Sequence, residues 1–283
     1  MTMPVLLPSA ARLALAARDE RRAGGPRFRL TLAHGIALAV LFAAGCAFAQ
    51  AQAVAGDLPI LATIWKWSPL LARGFVFNLA ISFIAMGAGT IAGFFLGYAQ
   101  ISLLVPVRKV AVFVTHFFRN APWLVLLFYC MFLLPFQVTL FGVTIPIPDW
   151  TKATLGLALP VMANVSEIVR GAVQSIPTTQ WEAAASLAFT RRQTMWMIVF
   201  PQCIKRMLPP WMNLYAILTM STVLASIVGV NEMMTLTQRA LSAENRPGLL
   251  LAFYAYVLLW FFVYCYPIAR WTVRLEARYA VNQ

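Results

Sequence analysis

The chain has 283 residues, of which 61% are hydrophobic and only 11% charged, with a mean hydropathy of +0.76 and a formal net charge of +13. A soluble domain keeps about half of its residues apolar and about a quarter charged, so the composition excludes one and points to an all-α integral membrane protein. The basic residues lie in short segments between apolar runs, not in one domain with stacking aromatics, which argues against nucleic acid as a partner.

In chain order, the apolar runs predict about six spans, over 31–50, 74–98, 110–134, 152–172, 211–230 and 248–267. Lys and Arg are retained in excess on the cytoplasmic side of a membrane. With both termini inside, fifteen of the 22 basic residues are cytoplasmic, while Lys66, Arg73, Lys152, Arg239 and Arg246 are external and Arg119 and Arg170 lie near or within spans. Both termini are therefore expected in the cytoplasm. The first run has a long arginine-rich flank and small residues at Ala47 and Ala49. It reads either as an uncleaved anchor or as a cleavable signal peptide.

In the second run, Gly89, Gly93 and Gly97 recur every four residues, which suits either tight helix packing or dimerisation through that face. Asn78, near the start of the same run, offers a polar contact to the pathway or an interhelical hydrogen bond. Pro122 breaks the third run just after Arg119 and Asn120, where freed backbone groups could line a polar cavity. Pro135, Pro146 and Pro148 then argue against a helix before the fourth run. That connection is expected to be external and membrane-dipping.

Glu167 stands inside the fourth run, and a carboxylate there is costly unless it faces a pathway or a partner. Arg170 follows at the spacing that lets helix side chains meet. Residues 173–210 then form a cytoplasmic loop too long for a simple turn. Within it WEAAASLAF favours a helix, Thr190 can cap a second one over RRQTMWMIVF, and Pro201 is expected to end that one. Such a pair is either a docking knob for a cytoplasmic partner or an element lying on lipid headgroups.

Cys46, Cys130, Cys203 and Cys265 are far apart, and His34 and His116 have no ligand partner at suitable spacing. No metal site is expected. The chain has no phosphate-cradling loop, no HExxH and no GxSxG, so it is expected to be no enzyme and to bind no cofactor of its own.

The string EAAASLAFTRRQTMWMIVFP resembles the EAA loop of the membrane subunits of bacterial ATP-binding-cassette importers, with Glu182, Ala183, Ala184, Ile198 and Pro201 in the matching places. Ala188 stands where that loop has glycine. RNAPWLVLLF at 119–128 is similar to the RGTPLLVQLFF region of the polar amino acid permeases, and SEIVRGAVQSIPTTQWEAA to their AEIFRGALLSVPKGQWEAA. LASIVGVNEM at 224–233 is similar to LASVIGVPEL, so the resemblance covers about residues 70–278. It implies a five-helix permease core over 61–283, with residues 1–60 as a basic N-terminal segment and an extra anchor span, in the bacterial inner membrane.

What the resemblance implies is a dimer of such subunits, alike or paired with a sister chain, standing on two ATPase subunits that use the ATP and magnesium. A periplasmic binding protein would deliver a polar amino acid or amino-acid derivative. The loop over 177–201 would couple to the ATPase through Glu182, Ala183, Ala184, Ala188, Arg191 and Arg192, the arginines facing the ATPase groove or lipid phosphates. Substrate contact is expected at Glu167, Asn164, Asn120 and Arg119, and less directly at Asn78. Asn164 and Ser166 stand where the family has tyrosine and alanine, which alters the lining. An ion-gradient-driven transporter is the competing reading, and it would need no EAA-like loop.

Overall fold

The structure, a computed structural model, describes residues 59–140 and 143–279 and the single residue Val40. Apart from Val40, the run over 31–50 and Cys46 lie outside the described residues. The described residues are helical apart from one hairpin and short connections. Helix α1 spans Ile60–Gln100, α2 Val105–Asn120 and α3 Trp123–Leu133; strands β1 (Gln137–Leu140) and β2 (Val143–Pro146) precede α4, Asp149–Gln174. Helix α5 is Thr178–Ser186, and α6 (Arg191–Gln193) runs through a wide π-turn at Thr194–Val199 into α7, Phe200–Ser221. A tighter 3₁₀ turn at Thr222–Ser226 leads to α8, Met233–Glu244, and α9, Leu249–Tyr279, closes the fold.

Helix α1 starts well before the predicted 74 and has 41 residues, which at about 1.5 Å each makes it roughly 60 Å long, about twice the apolar thickness of a bilayer. Its first turns are tied to α8, where Lys66 Nζ and Trp67 Nε1 each donate to Glu244 Oε1 at 2.7 Å. The rest of α1 lies along α4. Gly89, Gly93 and Gly97 make that approach possible. A Cβ on Gly93 would stand 2.5 Å from the Met162 carbonyl oxygen, one on Gly97 2.7 Å from that of Ser166, and one on Gly89 2.5 Å from Val161 Cγ1. The stripe is therefore filled within the chain by α4, which is the packing alternative and not the dimerisation one.

Helix α4 is the centre of the bundle. Leu157, Val161, Val165 and Val169 form a core with Ile81 and Met86 of α1, Leu127 of α3 and Leu218 of α7. A second core joins Ile60, Leu71 and Phe75 of α1 to Met233 of α8 and Leu249 and Phe253 of α9. Between these cores Asn78 is fully buried. Its Nδ2 donates to Thr222 Oγ1 and Glu232 Oε2, both at 2.9 Å, and its Oδ1 accepts the Met233 N–H at 3.0 Å.

The third predicted span is not one helix. Helices α2 and α3 meet at 104°, because Pro122 pushes the residue before it out of the helical region and Ala121 accordingly sits at φ −75°, ψ 136°. The proline-containing connection after α3 is also more regular than expected. It is an antiparallel hairpin pairing Gln137 with Pro146 and Leu140 with Val143, closed at its base by the Ile147 N–H on the Phe136 carbonyl at 2.8 Å. The Phe136 ring then covers the fully buried Lys152, whose Nζ lies 3.4 Å from the ring centroid and 3.7 Å from Asp149 Oδ1.

Among the described residues, α1 and α9 alone are single helices long and apolar enough to cross a bilayer, with the bent pair α2 and α3 a third if counted as one span. Helices α4 and α7, read as spans over 152–172 and 211–230, are less apolar because they carry polar residues, Asn164, Glu167 and Arg170 on one and Lys205, Arg206 and Asn213 on the other. The fifth predicted span also ends early, at Ser221, where the helix tightens.

Candidate functional site

Asn164 and Glu167 of α4 and Lys205, Arg206 and Asn213 of α7 line a cavity of about 750 Å³, together with Arg119 and Glu276. The volume falls within the range of about 300–1,000 Å³ usual for small-molecule clefts. Glu167 is part of its wall. Arg170 grips it from one turn on, through Nε at 3.1 Å and Nη2 at 2.7 Å, while Arg119 Nη1 reaches it from the end of α2 at 3.3 Å. Such a two-point guanidinium contact is a strong, oriented form of ion pair. Arg170 also donates to Gln174 Oε1 at 3.1 Å, which holds its fork in place.

Arg119 is in the last turn of α2, where a cation also suits the helix dipole. Asn120, next to it, turns back to donate to the His116 carbonyl at 2.7 Å and satisfies one of the free groups at the helix end. It is not among the cavity's lining residues. Asn164 lines the cavity but spends its amide on the Pro160 carbonyl at 2.8 Å. Asn78 lies away from the cavity in the buried network above, and Ser166 also points elsewhere. The Ser166 hydroxyl is 2.9 Å from Thr115 Oγ1, and Gln100 Nε2 donates to both, at 3.1 and 2.9 Å, pinning α1, α2 and α4 together.

Sequence reasoning missed Lys205, Arg206 and Glu276. The signal was present for the first two as a basic pair at the predicted loop's edge, but only the packing of α7 against α4 turns them inward. Arg206 Nη1 donates to the Ser175 carbonyl at 2.7 Å and to its Oγ at 3.0 Å, tying the end of α4 to α7 beside the loop.

The loop itself is a small folded unit. Ala172, Val173 and Ile176 pack with Met195, Val199 and Cys203, and Trp181 lies against them. Glu182 and Ala183 are exposed whereas Ala184 is buried. Among the described residues the Glu182 carboxylate has no ion pair. Ala188 takes the left-handed conformation at φ 57°. The Phe189 N–H bonds the Ala184 carbonyl at 3.1 Å and the Ala188 N–H that of Ala185 at 2.9 Å, the bond pair of a Schellman turn that glycine usually makes. The turn survives its substitution.

Thr190 caps the next helix as expected, in a capping box with Gln193: the Gln193 N–H donates to Thr190 Oγ1 at 3.4 Å, and the Thr190 N–H to Gln193 Oε1 at 2.9 Å. Pro201 does not end that helix. The π-turn before it lets the Phe200 N–H reach back to the Met195 carbonyl, and Pro201 enters the first turn of α7, where its missing N–H is tolerated.

This arrangement, a charged cavity beside an exposed EAA-type knob, can be set against known proteins. Residues 85–278 match the family described as binding-protein-dependent transport system inner membrane component. The chain belongs to this family. As a permease it is 34% identical over 212 residues to the probable amino-acid ABC transporter permease protein YckA of Bacillus subtilis, covering 75% of this chain and 90% of that one. It is 29% identical to the glutamine transport system permease protein GlnP of Escherichia coli, over 65% of this chain and 82% of GlnP. The crystal structure of an amino acid ABC transporter with histidines superposes with a TM-score of 0.68 at 26% identity, over 78% of this permease and 99% of that chain. The permease is accordingly the membrane-embedded part of an ABC importer, and its ATPase and binding-protein partners follow in general terms from the family.

Proposed function

We propose that this permease forms, with a second permease subunit, the pathway for a polar amino acid or amino-acid derivative that a binding protein delivers from outside. The observation that carries the reading is Glu167, held by Arg119 and Arg170 at the wall of a cavity wide enough for an amino acid. A zwitterion has an ammonium for the carboxylate and a carboxylate for a guanidinium, so Glu167 and Arg119, which both line the cavity, can exchange their ion pair for contacts to both ends of the substrate. Asn164 lines the same wall. The relatives' names, glutamine for GlnP and L-cystine for TcyB of Bacillus subtilis, favour the same substrate class.

The excess of Lys and Arg on one side supports both termini in the cytoplasm, with the knob around Glu182 on that side. ATP-driven closure of the docked ATPase subunits pushes on α5, and the tie between Arg206 and Ser175 passes that movement to α4 and α7. No catalytic step belongs to this chain. The test is reconstitution of the complex in liposomes with its ATPase and candidate binding proteins. ATPase stimulation by one loaded binding protein, with uptake of its amino acid, is expected. Purification of the chain with no ATPase attached, from cells that express both, would sink the reading.

A further inference from the structure

A second, smaller cavity lies beside the loop, apart from the one above. It has about 320 Å³ and is lined by Tyr98, Ile101, Ser102, Leu103, Arg191, Arg192 and Met195. No carboxylate lines it, and neither arginine makes an ion pair with any described residue. Ser102 Oγ accepts the Leu104 N–H at 3.2 Å, which leaves its hydroxyl proton to donate. One wall is thus built for an anion with several acceptor oxygens, since guanidinium forks match phosphate oxygens in shape and charge.

The surroundings narrow the choice. Leu103 and Leu104 are 67% and 64% exposed, and the exposed Tyr98 and Trp196 rings stand 6.3 Å apart beside the cavity. Trp196 in turn stacks on Phe200 at 5.2 Å. Tyr and Trp concentrate where hydrocarbon meets headgroups. A free phosphate ion would gain nothing from the leucines, whereas a phospholipid would place its acyl chains along them.

We propose that this cavity binds the phosphate of an anionic phospholipid, with Arg191, Arg192 and Ser102 on the headgroup and Tyr98 and Leu103 along the glycerol and upper acyl chains. The lipid thereby bridges the turn after α1 to the helix that follows the EAA-type knob. This site is independent of what the larger cavity carries.

The test uses the full chain reconstituted in phosphatidylcholine vesicles containing brominated phosphatidylglycerol or brominated phosphatidylcholine, reading the fluorescence that is lost in Trp196→Phe. An arginine near an anionic lipid surface contributes about 1 kcal/mol, or roughly fivefold, so the pair should favour phosphatidylglycerol by about 30-fold. Arg191→Gln with Arg192→Gln should bring quenching by the two lipids to parity. Arg108→Gln, a basic residue outside the lining, should leave the preference in place.

Equal quenching in the unaltered chain would overturn the proposal, as would a preference that survives both substitutions or falls equally in Arg108→Gln. Competition by inorganic phosphate at concentrations too low to screen the surface would make free phosphate the occupant and overturn it too. If the paired substitutions abolish ATPase copurification yet leave the lipid preference intact, the arginines belong to the ATPase surface and the lipid site is wrong.

Discussion

Ala188 holds a left-handed turn that costs a residue with a Cβ roughly 1–2 kcal/mol. The two backbone bonds to Ala184 and Ala185, and the capping box that follows at Thr190, fix the turn from both sides. Ala188→Gly should therefore raise the stability of the loop by about 1 kcal/mol, the reverse of the usual effect of glycine inside a helix. Protection of the 184–190 amides from hydrogen exchange measures it, and weaker protection in the glycine variant would refute the strain. Glu167 poses the opposite case. Glu167→Gln removes the charge while two guanidiniums remain, and uptake should fall at least about tenfold, a loss of roughly 1.4 kcal/mol in substrate contact, while the complex still assembles. Normal uptake by that variant would remove Glu167 from the pathway. The pairing of Glu167 with Arg170 was legible, since three residues on a helix bring side chains together; that with Arg119 was not, because 48 residues separate the two.

Among the elements, α1 and α4 depend on the glycine stripe most. Gly93→Leu should destabilise the chain by about 1–3 kcal/mol, as overpacking of a full core does, whereas Gly87, where a Cβ would meet nothing, should accept alanine freely. Thermal unfolding of the purified chain separates the two, and equal melting would contradict the packing. The stripe was visible in sequence, but which helix fills it was not, because repetition every four residues says that something comes close and not what. Prolines were read with mixed success for a related reason. Pro122 bends the chain because its neighbour must be extended, while Pro201 is absorbed by a π-turn that no local signal announces. The hairpin over 137–146 has the Val and Thr of a strand, but its prolines at the ends read as a membrane-dipping connection without a helix.

At the scale of the molecule, one end of the bundle is held by a long-range polar tie that responds to pH. The Lys66 ammonium, together with the Trp67 indole, holds the Glu244 carboxyl below its ordinary range. A depressed carboxylate contributes stability above its unfolded value and loses it as the pH falls through the folded one. Lowering the pH from neutral to below that range should therefore reduce stability by up to about 1 kcal/mol, the worth of an exposed pair, and Glu244→Gln should flatten the change. An unaltered profile in that variant would exclude the tie as its source. At the opposite end, Glu182→Lys should detach the ATPase without unfolding the chain, since the side chain is exposed; copurification at the unaltered level would dismiss Glu182 as an anchor. Composition and motif order made the membrane class and the loop legible. The buried network of Asn78, Thr222 and Glu232 was not, because Asn78 lies 144 and 154 residues from its two partners and meets them only through the tertiary fold.

The contacts under the three glycines also bear on how the chain can drift over generations. Gly89 is crowded chiefly by the side chain of Val161, whereas Gly93 and Gly97 face backbone oxygens at 2.5 and 2.7 Å. A side chain can be traded away by its owner, but a carbonyl cannot. Descendants of this sequence can thus exchange the pair at 89 and 161, small for large, in two compensating steps. Positions 93 and 97 have no partner able to yield, and any lineage that fills them must first move α4.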